Sequence, residues 1–294
     1  MKPHFHLVPR NSQQPYLARQ HTLPNFGTVW HYHPELELHY IIRGEGVRFV
    51  GDNISNFYAT ELLLLGENLP HMWRCSEKYF QGNQEITAEA IVIHFLPDFI
   101  GKEFLNMSEA SAIISLYERA KSGLMIHGHT KENIYSLMKK SVKEDGMKRM
   151  LTILEMLVVL SESRDLTPIS VGHKSYVYNK EETDRLNKVY QYALSNYCRE
   201  LPLDEIAAIA NLSVTSFCRY FKMLTKKTFH EFLIELRISH ARRLLMDDNN
   251  FTIENICFDS GFNNRSNFFR HFKRIVGITP SEFKRKCIVS TDFV

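Results

Sequence analysis

The period of the apolar positions changes along the chain. Up to about residue 100 they fall in short runs: VRFV (Val47 to Val50), ISNFY (Ile54 to Tyr58), ELLLL (Glu61 to Leu65) and AIVIHF (Ala90 to Phe95). Turn signals separate them at Gly44-Glu45-Gly46, Gly51-Asp52-Asn53 and Asn68-Leu69-Pro70. Short strands punctuated in this way predict an antiparallel sandwich or small barrel. Beyond residue 100 the period becomes helical. Ser108 or Ser111 can cap a helix with Ile113, Leu116, Tyr117 and Ala120 along one stripe, and Gly123 supplies a stop. Thr130 can cap a second helix, with Ile134, Leu137 and Met138 on one face. A third, Met147 to about Ser161, is apolar nearly all round, which suits burial in its own domain or contact with a second subunit. Residues 161–182 hold Pro168 and Gly172 and show no period, so they read as a linker. That divides the chain into a first domain over 1–160 and a second over 183–294, with the boundary near Asn179.

In the second domain, after a helix from about Thr183 to Cys198, one pattern is written twice. The copies run from Asp204 to Phe232 and from Glu254 to Phe283. Ile206 answers Ile256 at an offset of 50, while Arg219-Tyr220-Phe221-Lys222 answers Arg270-His271-Phe272-Lys273 at 51. One residue is therefore added in the second turn, where Gly261 is expected to make room for it. Each copy reads as a short helix, a tight turn and a longer helix with a polar-basic outer face, the layout of a helix-turn-helix. In the first copy Phe217, Phe221 and Leu224 form the buried stripe, and Thr215, Ser216, Cys218, Arg219 and Lys222 are left for the outer face. In the second, Phe268 and Phe272 are buried and Arg265, Ser266, Asn267, Arg270 and Lys273 remain outside. Phe269 is left over and is expected to pack against a sugar or a thymine methyl group. Between the copies, Phe229 to Asp248 reads as one helix. About 18 residues at 1.5 Å make it roughly 27 Å long, enough to hold two recognition helices about one turn of DNA, about 34 Å, apart. Lys226, Lys227, Arg274 and Lys284-Arg285-Lys286 are placed to neutralise phosphates. With two arginines and an asparagine against one arginine and a cysteine, the second copy is expected to read at least as many bases as the first.

Charge supports this division. The net charge of the 294 residues is only +3, but 183–294 carry 17 Lys+Arg against 12 Asp+Glu, and the rest carry 19 against 21. A basic C-terminal part suits a polyanionic partner, double-stranded DNA. The five cysteines (Cys75, Cys198, Cys218, Cys257, Cys287) form no CxxC pair, which argues against a disulfide framework or a cysteine zinc site. MKPHFHLVPR has no apolar core of a signal peptide, and Leu151 to Leu160 is too short, and with Glu155 too charged, to span a bilayer. The expectation is a soluble cytoplasmic protein.

The front part carries its own chemistry in WHYHPELELHYIIRG. His31, His33 and Glu37 share parity, which on one strand places them on one face, and His71 follows a turn. Such a set suits a divalent transition metal, a small organic ligand hydrogen-bonded to imidazole, or plain inner-face packing. Trp30, Tyr32, Tyr40 and Trp73 can wall an effector pocket or fill a core.

Two resemblances join these readings. His31-x-His33-x3-Glu37-x6-Gly44 resembles the first cupin motif, and Pro70-His71 the histidine end of the second. Gly27 lies closer to His31 than in that pattern, and Trp73-Arg74-Cys75 stands where its asparagine would follow. The stretch from about Leu186 to Lys286 resembles the AraC/XylS family of bacterial transcription regulators. Its marks are Arg237-Ile238, Ala241-Arg242, Leu244-Leu245, Ile253, Ile256, Gly261-Phe262, Phe268, Arg270, Phe272-Lys273, Gly277 and Thr279-Pro280. Cys257 replaces a usual alanine and Lys284 a common arginine. The resemblance implies bases read by Thr215, Cys218 and Arg219 and by Arg265, Ser266, Asn267 and Arg270. Cys218 is a weak reader, so the first copy leans on Thr215 and Arg219. The implied fold is α+β in two domains: a cupin-like β-barrel followed by helices, then an all-α domain with two helix-turn-helix motifs. The implied function is a DNA-binding transcriptional regulator answering a small-molecule effector. A homodimer is expected, RNA polymerase is a partner by the same resemblance, as for an activator, and no catalysis is implied. The alternative is a metal-dependent cupin enzyme in which His31, His33, Glu37 and His71 are the ligands and the helical part is accessory.

Overall fold

The computed structural model describes residues 4–5, 16–27, 29–170, 180–246 and 251–291. The chain divides into two compact units. The first, built mostly from Lys2–Asn53 and Phe57–Lys180, holds strands β1 (His4–Phe5), β2 (Tyr16–Leu23), β3 (His31–Tyr32), β4 (Leu36–Arg43), β5 (Gly46–Val50), β6 (Asn53–Phe57), β7 (Leu62–Leu65), β8 (His71–Cys75), β9 (Ala88–Phe95), β10 (Leu124–Ile126) and β11 (Leu166–Pro168). They form two sheets, ordered β1-β3-β8-β5-β6 and β11-β10-β7-β4-β9-β2. The second sheet is antiparallel throughout, and β1 runs parallel to β3. The barrel expected from the turn spacing is thus built as two facing sheets.

Strands β4, β7 and β9 are buried on both faces. One row of side chains, including Leu36, Leu38, Tyr40, Leu62, Leu64, Ile91 and Ile93, packs on the helices α2 (Ser111–Ala120), α3 (Gly128–Lys143) and α4 (Gly146–Glu162), which follow the single-turn α1 (Lys102–Leu105). The other row, with Ile41, Leu63 and Leu65, meets Val50, Trp73 and Cys75 of the facing sheet. An unbroken run such as ELLLL is what two-sided burial requires. The helices begin differently from the sequence expectation. Neither Ser108 nor Ser111 lends a side chain to the start of α2. Thr130 lies in the first turn of α3, where its N–H and hydroxyl both donate to Asp165 Oδ2, at 3.4 and 2.9 Å. The cap therefore comes from outside the helix.

The expected linker is also shorter. Leu166–Pro168 adds β11 to the edge of the larger sheet, and Ser170 N–H donates to Ser122 O at 2.9 Å. The first unit thus continues through Ser170 rather than ending at 160, because backbone pairing needs no apolar period. Helix α5 starts at Lys180, and the remainder of the expected linker, with the boundary at Asn179, lies outside the described residues.

The second unit, mostly Glu181–Val294, is helical: α5 (Lys180–Asn196), α6 (Leu203–Ile209), α7 (Val214–Thr225), α8 (Phe229–Met246), α9 (Ile253–Asp259), α10 (Arg265–Val276) and α11 (Pro280–Thr291). Helix α8 serves two cores. Phe229 and Phe232 meet Phe217, Phe221 and Tyr190 with ring centroids 5.0–5.7 Å apart. Further along, Ile234, Ile238, Ala241 and Leu245 pack with Ile256, Cys257, Phe262, Phe268 and Phe272. Burial on several sides explains why its sequence lacks a single apolar stripe.

The duplication extends to hydrogen bonds. After α6, Leu212 N–H donates to Ala207 O and Asn211 N–H to Ala208 O, both at 2.9 Å; after α9, Phe262 donates to Cys257 O at 3.1 Å and Gly261 to Phe258 O at 2.8 Å. Both ends are Schellman caps, which need a left-handed residue, with φ +52° at Asn211 and +82° at Gly261. The added residue is therefore Asn263, after the cap, and Gly261 is not what accommodates it. Gly261 answers a close approach instead: a Cβ there would lie 2.6 Å from the Tyr197 carbonyl oxygen.

Candidate functional site

In the first unit, imidazoles converge on one buried carboxylate. Glu37 Oε2 lies 3.0 Å from His33 Nε2, 3.0 Å from His94 Nε2 and 3.3 Å from His71 Nε2, and Oε1 accepts from His39 Nδ1 at 2.7 Å. Each neighbour has a structural cause. His39 is two residues along β4, on the same face. His94 stands opposite Glu37 in the β4–β9 register. His71 opens β8 and pairs with His31 of β3. Burial alone would raise the Glu37 carboxyl, but His71, His94, His33 and His39 outweigh it and hold it well below the usual carboxylate range. Burial, followed by the neighbouring His71, pushes the His31 imidazole well down. Burial and then His39 lower His21.

The rings are oriented from behind. His71 Nδ1 donates to Leu69 O at 2.7 Å, His33 Nδ1 to Glu35 O at 3.1 Å and His31 Nδ1 to Val29 O at 2.9 Å. A carbonyl oxygen can only accept, so these Nδ1 atoms carry the proton and, in the neutral ring, Nε2 presents a lone pair. His31, His33 and His71, and likewise His33, Glu37 and His94, hold their ligand atoms within 4.8 Å of one another. These are donor sets that suit a divalent transition metal. Beside them opens a cavity of about 390 Å³ whose apolar wall includes Leu23, Phe26, Val29 and Val92, with His21, His39 and His94 among its polar lining.

The four residues singled out in the sequence do come together, but not through shared parity. Strand β3 ends at Tyr32, His33 lies just beyond it before the bend at Pro34 and Glu35, and β3 and β4 belong to different sheets. Convergence arises because the sheets face each other. His39 and His94 escaped the sequence reading, although a histidine inside the apolar run AIVIHF was a visible signal. Of the aromatics expected on the wall, Trp73 lines the cavity. Tyr40 turns to the helices and stacks on Tyr135 at 4.0 Å, and Trp30 packs on Phe49 at 6.2 Å.

In the second unit Ser213 accepts from Ser216 N–H at 3.3 Å and Asn264 from Asn267 N–H at 3.2 Å, so α7 and α10 start from equivalent caps. Thr215, Cys218, Arg219 and Lys222 are exposed on α7, and Arg265, Ser266, Asn267, Arg270 and Lys273 on α10. Ser216 is half-buried and its hydroxyl accepts from Ser213. Arg270 donates to Asn267 Oδ1 at 3.0 Å, which holds its guanidinium along the helix face. Two expectations change. Phe269 is half-buried, edge-on to Phe268 at 5.8 Å and packed against the α8–α10 core, so it is not a free outer-face ring. Lys227 is half-buried and donates to Glu235 at 2.7 Å, which takes it out of the set facing phosphates.

Residues 206–286, which contain both copies, match the family model described as a helix-turn-helix domain. The second unit carries a helix-turn-helix domain of the AraC type. Similar proteins include an HTH-type transcriptional regulator in the cgkA 5′ region of Pseudoalteromonas carrageenovora, 31% identical over 94 residues, 32% of this chain and 55% of that protein. The chain thus spans about half the length of that relative. The HTH-type transcriptional regulator YdeC of Bacillus subtilis is 21% identical over 260 residues, covering 87% of this chain and 85% of that one. The Msm operon regulatory protein of Streptococcus mutans is 21% identical over 254 residues, covering 85% and 84%. Within the AraC-type domain, Arg237 is a residue the sequence marked without a role. Its Nε donates to Tyr197 O and its Nη2 to Arg199 O, both at 2.8 Å, and its guanidinium sits 5.9 Å from the Phe262 ring. It ties the chain leaving α5 to the second turn. Among the described residues of the whole chain, no helix is long and apolar enough to cross a membrane.

Proposed function

We propose that the chain is a sequence-specific transcriptional regulator in which α7 and α10 read DNA and the first unit binds an effector beside Glu37. The observation that carries this reading is the pair of equivalent exposed faces. Arg219 and Lys222 on one recur as Arg270 and Lys273 on the other, each on a capped helix after a tight turn. A guanidinium can take two acceptors of a guanine edge, and an ammonium a phosphate. Thr215, Ser266, Asn267 and Arg265 complete the reading face, and Ser216 and Cys218 stand beside it. The relatives are regulators by name, which supports this reading over a metal-dependent enzyme. A homodimer fits Met147, Leu151 and Val158, which stand exposed on α4. RNA polymerase as a partner rests on the resemblance alone.

The test is affinity for a duplex selected from a random-sequence pool. Arg219→Ala and Arg270→Ala should each weaken specific binding by about 1–3 kcal/mol and relax the preference at one base position. Unchanged affinity in both variants overturns the assignment.

A further inference from the structure

We propose that the effector site is a metal centre: a divalent first-row transition ion held by His33, Glu37, His71 and His94, with His31 at the mouth and outside the ligand set. This inference rests on the regulator reading for its role, though not for its chemistry. Three Nε2 atoms approach the single oxygen Glu37 Oε2, at 3.0, 3.0 and 3.3 Å. Hydrogen bonding accounts for this poorly. His33 and His71 already commit Nδ1–H to carbonyls, so donating to Glu37 as well would make both of them cations, each only 1% exposed. His71 Nε2 moreover makes no hydrogen bond despite its proximity. A cation placed among the four groups removes the difficulty. Every imidazole then uses its lone pair, and the carbonyls behind His33 and His71 become the outer partners that fix ring orientation.

The contacts to the carboxylate suit that geometry. Ligand atoms each about 2.1 Å from a tetrahedral ion stand about 3.4 Å apart, close to the 3.0–3.3 Å that separate the three imidazoles from Glu37 Oε2. His33, Glu37 and His94 already hold their ligand atoms within 4.8 Å of one another, and His71 is the ligand that closes on the ion. Charge agrees as well. The Glu37 carboxylate offsets one unit of a divalent ion. Imidazole and carboxylate together, without thiolate, suit zinc, nickel, copper or iron(II). The ligand set exchanges the expected His31 for His94. Glu37 supplies the reason, since its oxygen faces His94 across the β4–β9 register, whereas His31 pairs with His71 on the other sheet. Strand β4 carries Glu37 on one face and Leu36 and Leu38 against the helices on the other. An ion that draws the carboxylate toward three imidazoles therefore acts on a strand the helical layer also rests on.

The experiment uses the full chain stripped with chelator, titrated with Co(II) and followed by visible absorption, then competed with Zn(II). One equivalent of Co(II) with the intense bands of a four-coordinate site is expected. His94→Ala and His33→Ala should weaken binding at least about tenfold, each more than His31→Ala does; far-UV circular dichroism confirms that each variant is folded. Binding of less than one equivalent overturns the centre. A spectrum lost in His31→Ala and kept in His94→Ala overturns the ligand set. Affinity for the selected duplex, with and without Zn(II), tests the role: a change of about fivefold or more is expected, and equal affinities overturn regulation by the metal. If no duplex is selected at all, the regulator reading fails while the metal titration still decides the site.

Discussion

Lys226 and Gly277 occupy the same place in the two copies, one residue beyond the recognition helix, and both take the left-handed conformation, with φ +61° and +86°. Glycine adopts it without cost and lysine does not. Lys226→Gly should therefore raise stability by about 0.5–1 kcal/mol, read as a higher urea midpoint with unchanged slope; a lower midpoint would show that the lysine stem contributes more than its backbone costs. Gly261 is the opposite case. Its φ is +82° and an added Cβ would stand 2.6 Å from the Tyr197 carbonyl oxygen and 2.9 Å from Arg237 Nε. Gly261→Ala should cost about 1–3 kcal/mol, and a thermal midpoint equal to that of the parent would refute the close approach. The sequence shows that Gly261 matters, because it marks the turn. It does not show why, because Tyr197 belongs to a helix end about 60 residues earlier.

At the level of elements, the repeated pairs Glu231-Phe232 and Glu282-Phe283 are visible as text, and the structure gives them a cause. Thr228 Oγ1 accepts from Glu231 N–H at 3.2 Å while Glu231 Oε2 accepts from Thr228 N–H at 2.7 Å, and Thr279 and Glu282 do the same at 3.3 and 2.8 Å. These are capping boxes at the starts of α8 and α11. The backbone N–H and then the hydroxyl of each threonine hold the glutamate carboxyl below its usual value. A carboxyl depressed in the folded state stabilises at pH values above its unfolded pKa, and this is lost as pH falls through the folded value. Acidification below about pH 4 should thus weaken the second unit. Glu231→Gln with Glu282→Gln, which keeps the boxes but removes the titration, should flatten the acid limb of unfolding midpoint against pH; an unchanged limb would refute the coupling. Thr228→Ala should cost about 0.5–2 kcal/mol at neutral pH. The sequence missed β11 for a related reason. Three residues are too few for a period, and what holds Leu166–Pro168 is backbone pairing with Leu124–Ile126.

Across the molecule, legibility follows the distance over which a feature is encoded. The two recognition helices are readable because each copy carries its own stripe, turn and cap within about 30 residues, and the second copy repeats the first. The imidazole site is only half readable. His31, His33 and Glu37 lie close along the chain, while His94 reaches Glu37 through a strand register that no local pattern specifies. Strand β4 carries a consequence for descent. Its even positions, Leu36, Leu38 and Tyr40, answer to the helical layer, and its odd positions Glu37 and His39 line the cavity. Substitutions at odd positions alter what the cavity recognises, whereas those at even positions require the helical layer to repack. A lineage built on this strand can therefore inherit its architecture unchanged while its chemical vocabulary drifts, one alternate residue at a time.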